Sequence, residues 1–237
     1  MSKNKILTKK VVLFIVEGVS DKQALNNILR KLYQNSREIK FEITNGDVTS
    51  NPDTSVDQVE LQVKKIVRTY ITDNKLRKND IFQVIQIFDM DGAYIPNSAI
   101  IRGRTGKFIY TANNILCLTP QDVIVRNEHK RALMDKLLSI SEINGIPYEK
   151  YFMSCNLDHV LYDEQNLNAD DKLNRACEFQ SQFRGQEHLF PIFLKQSAGE
   201  NMPDDLDKSW EYIKQDMHSL ERNTNLHLYF SLHPIIW

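Results

Sequence analysis

The chain is short of cysteine: Cys117, Cys155 and Cys177 are the only three in 237 residues. Their odd number and their spacing exclude a disulfide framework and a Cys/His metal site. Nothing approaches the ~20 consecutive apolar residues of a membrane-spanning helix, and no signal peptide precedes the first strand. The expectation is a reduced, cytoplasmic protein with no membrane contact. Excess charge of one sign is also missing. The formal net charge is -1 and the pI about 6.6, so no global basic field holds nucleic acid, and such binding must be local or shared with a partner. A Gly-x-x-x-x-Gly-Lys-Ser/Thr phosphate loop is absent, so any ATP must be bound by another chain. Internal repeats and low-complexity segments are absent as well.

What is present suits a globular fold. With 41% hydrophobic and 26% charged residues, the chain can bury the core of one large domain, or of one domain with an appendage. Two runs are nearly continuous in apolar residues, Val11 to Val16 and Ile81 to Phe88, as buried parallel strands are. Between them, Asp21 to Gln34 carries Ala24, Leu25, Ile28, Leu29 and Leu32 at helical spacing, with Ser20 as its cap. Ile39 to Thr44 alternates as a strand, Asn45-Gly46-Asp47 breaks it, and Ser50-Asn51-Pro52-Asp53 forms a loop. Val56 to Ile71 is a second helix, with Val59, Val63, Ile66, Val67 and Tyr70 on one stripe. Strands separated by helices of this length predict parallel pairing and an α/β core.

Residues 1–156 form this core, with a β-rich insertion near 96–119 whose Arg102-Gly103-Arg104-Thr105-Gly106-Lys107 segment reads as a hairpin tip. Pro120 to Ile140 is a helix that Thr119 caps and Pro120 starts. Tyr148 to Ser154 is a further strand. Residues 157–237 form a mostly helical elaboration of the same domain. It holds helices at Asn168 to Gln182 and Asp204 to Arg222 and strands at Leu189 to Leu194 and Leu226 to Phe230. Trp210 and Trp237 read as packing residues, and the apolar end Pro234-Ile235-Ile236-Trp237 as a segment that docks.

Carboxylates end the two apolar strands: Glu17-Gly18 after the first, Asp89-Met90-Asp91-Gly92 at the second. Ligands bind outside the carboxyl ends of parallel strands, and hard divalent cations take carboxylate oxygen, water and phosphate. Glu17, Asp89 and Asp91 therefore describe a site for Mg²⁺ or Mn²⁺, and Asp21, one turn into the following helix, adds a fourth carboxylate. Such a cleft could hold two ions ~3.5–4 Å apart, as in phosphodiester cleavage. A single strand-end Asp more often begins a loop or caps a helix; the joint pattern is what points to metal. Arg102, Arg104 and Lys107 could grip a phosphate backbone beside the cleft or form an exposed tip. No histidine has a partner at metal-ligand spacing, and His159 reads as a packing or hydrogen-bonding residue.

The order of apolar strand, Glu17-Gly18, Ser20-Asp21, two helical units, apolar strand and Asp89-Met90-Asp91-Gly92 resembles a TOPRIM domain, the metal-binding module of topoisomerases, primases and OLD-family nucleases. Glu-Gly-x-Ser-Asp is closest to the OLD type. The resemblance covers residues 8–95, and Ser154 to His159 is similar to a segment of small stand-alone TOPRIM proteins of bacterial defence loci. It implies a Rossmann-like, mainly parallel sheet flanked by helices. Glu17 would act in metal binding or proton transfer, Asp89 and Asp91 as the ligand pair, and Asp21 at a second ion. Asp158, Asp163 and Glu164 are candidates for completing a second site, and Lys195 or Lys150 for meeting the phosphate. The chain has no room for the strand-passage parts of a topoisomerase or the zinc-binding parts of a primase. The implied function is a metal-dependent nuclease acting on DNA or RNA, an antiphage effector working with a separate ATPase subunit.

Two other readings stay open. Phe88-Asp89-Met90-Asp91-Gly92 also resembles the first signature of haloacid-dehalogenase phosphatases, although Ala93 stands where Thr is usual and Glu17 has no role there. A non-catalytic TOPRIM binding subunit is the third, because fold does not dictate function.

Overall fold

The chain alternates strand and helix from its first described element. β1 (Val11–Val16) has every residue buried and runs into α1 (Val19–Leu32), then β2 (Glu38–Ile43), α2 (Val56–Asp73) and β3 (Ile81–Asp89). The computed structural model describes residues 9–44, 48–49, 51–104 and 106–236. The expected break at Asn45-Gly46-Asp47, Ser50 of the loop, Thr105 of the basic segment and the packing role of Trp237 lie outside them. Next come β4 (Ile100–Arg102), β5 (Ile109–Tyr110), β6 (Ile115–Cys117), α3 (Pro120–Leu138), β7 (Glu142–Ile143) and β8 (Ile146–Ser154). The remaining elements are α4 (Leu157–Tyr162), α5 (Ala169–Gln182), α6 (Phe190–Gln196), α7 (Leu206–Ile213), β9 (Asn223–Thr224) and α8 (His227–Leu232).

The main sheet has the order β2-β1-β3-β8-β7, with β9 also on β8. β1 pairs in parallel with β2 and β3, and β3 with β8; the short β7 and β9 are antiparallel to β8. The protein is thus α/β with a mixed, mostly parallel sheet flanked by helices and a largely helical C-terminal part.

Alternation along β1 divides its side chains between two cores. Val12, Phe14 and Val16 face a core shared with α1, α4, α5 and α8, where Phe14 stacks on Phe41 at 5.1 Å and meets Tyr229 edge-on at 5.5 Å. Leu13 and Ile15 face the other, with Val59, Val63 and Val67 of α2, Leu133 and Leu137 of α3 and Trp210 of α7. Burying each such large side chain contributes about 1.5–3 kcal/mol before chain entropy is counted. Trp210 packs as expected, its ring 5.0 Å from Phe152. Of the apolar end expected to dock, Ile235 packs partly on the core while Pro234 and Ile236 are exposed; just before it, Tyr229 of α8 is buried against Phe14, Tyr33 and Tyr151.

Several expectations are corrected. Leu189 to Leu194 is not a strand: Phe190–Gln196 is helical, with Pro191 in its first turn, where a missing N–H costs nothing. Leu226 to Phe230 lies largely in α8. The helix expected from Asp204 to Arg222 ends at Ile213, and Asp216 turns the chain with φ 46°. Gly18, not Ser20, occupies the cap of α1. The basic segment is not a hairpin tip, because it links β4 to β5 while β6 lies between them in a separate three-stranded sheet of order β4-β6-β5. No helix among the described residues is long and apolar enough to cross a membrane.

Candidate functional site

Parallel pairing of β1 with β3 brings their carboxyl ends to one edge of the sheet. Glu17 follows β1 and Asp89 ends β3. The Asp89 backbone N–H donates to Glu17 Oε1 at 3.3 Å, so the two strand ends are directly joined. Asp89 Oδ1 accepts from the backbone N–H of Leu157 at 2.9 Å, at the start of α4. Burial pushes the Asp89 carboxyl well above the usual carboxylate range; the charges of Asp21, Asp91 and Asp158 add to this, and Lys130 opposes it.

Asp91 stands in the left-handed region with φ 50°, followed by Gly92 at φ 65°. A Cβ on Gly92 would sit 2.9 Å from Ile115 Cδ1 and at a φ that suits glycine, so this turn requires it. The turn sends Asp91 toward α3, where Lys130 Nζ lies 2.6 Å from Asp91 Oδ2. Tyr110 of β5 donates its hydroxyl to Asp91 Oδ1 at 3.3 Å. Arg126 donates from Nη2 to the Asp91 carbonyl at 3.0 Å and from Nη1 to the Tyr110 hydroxyl at 3.3 Å. The inserted sheet is thereby tied to the carboxylate cluster.

Asp158, near the start of α4, is buried and pairs with Lys172 of α5 at 2.6 Å, while its Oδ1 is buried with no partner. Burial raises its proton affinity against the opposing pull of Lys172. Glu17, Asp89, Asp91 and Asp158 line one cavity of about 550 Å³, together with Lys172, Asn156 and two wall segments, residues 107–110 and 165–169.

The other candidates divide. Asp21 accepts from the Gly18 N–H at 2.8 Å and from the Ser20 hydroxyl at 3.3 Å, capping α1 behind the cluster and acting on Asp89 through its charge. Arg102 donates to the Leu118 carbonyl at 3.2 Å; it and Arg104 are exposed on the inserted sheet, and of that basic group Lys107 lines the cavity. Lys195 pairs with Asp204 on the surface. Lys150 donates to the Ile140 carbonyl at 2.5 Å, and burial lowers its pKa to about 8. Neither lysine lines the cavity. Asp163 is exposed, and Glu164 pairs with Arg175. His159 accepts from the Cys155 N–H at 3.1 Å through Nδ1, a structural role.

Sequence reasoning missed Lys130, Lys172, Tyr110 and Arg126. A signal for Lys130 existed: the buried positions of α3 run Val123, Asn127, Lys130, Leu133, Met134 and Leu137, so two polar residues interrupt an apolar stripe. A lysine on such a stripe needs a buried acceptor.

The donor chemistry fits a hard divalent cation: carboxylate oxygens only, mutual repulsion that raises Asp89, and an unpartnered oxygen on Asp158. The geometry is not a finished coordination shell. Among the described residues, no three His, Cys, Asp or Glu side chains are grouped closely enough to hold a metal ion, and Asp91 is turned toward Lys130.

Fold and site together define an α/β protein with a carboxylate cluster at the carboxyl edge of a mostly parallel sheet. No family model matches the chain, and no curated protein and no solved structure matches it.

Proposed function

We propose that the protein is a TOPRIM-type nuclease that hydrolyses phosphodiester bonds of DNA or RNA with Mg²⁺ or Mn²⁺. The observation that carries this reading is the Glu17–Asp89 contact across β1 and β3, at the head of a cavity that Asp91 and Asp158 also line. Glu17 and Asp89 would hold the cation, with Asp158 opposite as a further oxygen donor. A bound divalent ion supplies positive charge to the phosphate and lowers the pKa of water. Glu17 accepts the proton of the attacking water. Lys172, beside Asp158, faces the same cavity and offsets charge on the phosphate oxygens. Asp91, fixed by Lys130 and Tyr110, sets the field around Asp89, and Asp21 adds to it from the cap of α1. Because the chain has no phosphate loop of its own, ATP dependence would come from a separate ATPase subunit, in keeping with an antiphage effector.

The phosphatase reading is weaker on one observation. It requires the second Asp to donate a proton, whereas both Asp91 oxygens accept hydrogen bonds, from Lys130 and from Tyr110. The deciding experiment is cleavage of plasmid DNA, single-stranded DNA and tRNA by purified protein with Mg²⁺ or Mn²⁺, beside Asp89→Asn and a phosphomonoester. Metal-dependent cleavage lost in the variant supports the nuclease. Turnover of the monoester alone replaces it with the phosphatase, and silence on every substrate favours the binding subunit.

A further inference from the structure

We infer that the small β4-β6-β5 sheet is a single-strand binding platform, with Phe108 as the surface on which an unpaired base stacks. The inference deepens the nuclease reading and rests on it for the meaning of the carboxylates.

The platform combines two features that single-strand binders need, basic side chains along the backbone path and an aromatic face for bases. Arg102, Arg104 and Lys107 are exposed on it. So are Ile101, Phe108 and Leu118, at 42%, 41% and 49%. Phe108 keeps this exposure even with the Arg126 guanidinium 5.3 Å from its ring centroid. The ring, between Lys107 in sequence and Arg126 in space, thus keeps open surface for a further partner. Its position is continuous with the candidate site, because Lys107 and Phe108 line the cavity that holds Glu17, Asp89 and Asp91.

The cavity beside the platform is sized for a nucleotide rather than a whole protein partner. At about 550 Å³ it is a ligand-sized recess, within the range of about 300–1,000 Å³ that encloses a small molecule. Its two walls are fastened together: the Tyr110 N–H donates to Asn166 Oδ1 at 2.8 Å, and Asn166 Nδ2 donates to the Tyr110 carbonyl at 2.7 Å. A phosphodiester reaches the carboxylates by entering this recess, past Lys107 and Phe108 on its wall. Base faces are also available to Phe108 only when unpaired. The acidic floor repels phosphate, so the basic rim is what makes approach favourable.

The test is anisotropy of labelled oligo-dT, oligo-rU and a duplex of the same length on the whole chain in EDTA, where no cleavage occurs. At least one single strand should bind about tenfold or more tighter than the duplex. Phe108→Leu, which keeps apolar bulk and removes the ring, and Phe108→Ala should each lose most of that preference while thermal melts show both variants folded at the assay temperature. Phe108→Tyr should retain it. Neutralising Arg102, Arg104 and Lys107 together should reduce the salt dependence of binding. Equal affinity for duplex and single strand, no binding of any nucleic acid, or full preference in Phe108→Leu would each overturn the inference. Cleavage with Mn²⁺ run in parallel separates the two readings. Duplex cut as fast as single strands removes the platform and leaves the nuclease; single strands bound with the full preference but never cut remove the nuclease and leave the platform.

Discussion

Lys130, fully buried on α3, places its Nζ 2.6 Å from Asp91 Oδ2, an acceptor 39 residues earlier in the chain. The pair fixes the direction of Asp91 and makes the two aspartates of the Asp89-Met90-Asp91 motif unequal. Asp91 has the Lys130 ammonium in direct contact, whereas Asp89 feels it only through its charge, among carboxylates and beside one backbone N–H.

Asp91→Asn should therefore be strongly destabilising, by up to about 3–5 kcal/mol, because it leaves a buried ammonium facing a neutral amide. Urea unfolding of the variant beside wild type measures this directly. A variant within ~0.5 kcal/mol of wild type would show that Lys130 does not depend on Asp91.

Asp89→Asn should behave in the opposite way. Burial raises the Asp89 pKa in the folded state, so the folded protein binds its proton more readily than the unfolded chain does. Stability is then highest below the ordinary carboxylate range and falls as pH rises through the raised value. Asparagine keeps the acceptor for the Leu157 N–H and removes the charge. At neutral pH without metal the variant should melt about 2–4 °C higher, the shift that ~1 kcal/mol produces in a chain of this size. Cleavage should fall by at least about a hundredfold, a transition-state loss of ~2.7 kcal/mol or more. Thermal melts in EDTA and initial cleavage rates check the two halves separately.

Lys172→Met and Lys195→Ala should separate the lysine inside the cavity from the one outside it. Lys195 sits in an exposed pair with Asp204, and such pairs contribute about 0–1 kcal/mol; its loss should leave cleavage unchanged. Loss of Lys172 should reduce cleavage at least about tenfold. Equal effects of the two substitutions would mean that Lys172 serves only to neutralise Asp158.

His159 gives the protein an acid limit. Burial lowers its pKa from 6.5 to about 4, so the unfolded chain takes up a proton at a pH where the folded protein does not. Stability from this group is complete above pH 6.5 and is lost as pH falls toward about 4. His159→Asn, which can still accept from the Cys155 N–H, should flatten the stability profile across that interval. Urea midpoints taken through the same window would show an unchanged slope if His159 were not the cause.

The pattern of these residues explains what could be read in advance. β1 and β3 were legible because a fully buried parallel strand has no polar face to confuse it, and Glu17 and Asp89 followed from their ends. Leu189 to Leu194 and Leu226 to Phe230 read as strands, though they lie largely in the helices Phe190–Gln196 and His227–Leu232, because short apolar runs carry no usable periodicity. Their helical form is set by tertiary packing, as with Tyr229 against Phe14. Lys172 was hidden for another reason: its acidic partner, Asp158, sits on a different helix, so no single stripe marks the pair. Asp21 was visible as a carboxylate, but its hydrogen bond from the Gly18 N–H at the start of α1 shows only in the structure.

The two hydrogen bonds between Asn166 and Tyr110 have a consequence beyond the walls of the cavity. β5 is the outer strand of a three-stranded sheet, and such a strand presents free backbone groups on which another chain can build. The Asn166 side chain offers Tyr110 one donor and one acceptor, as the backbone of a neighbouring strand would. A single side chain thus fills, at Tyr110, the place that the backbone of a further strand would take, beside the exposed Phe108.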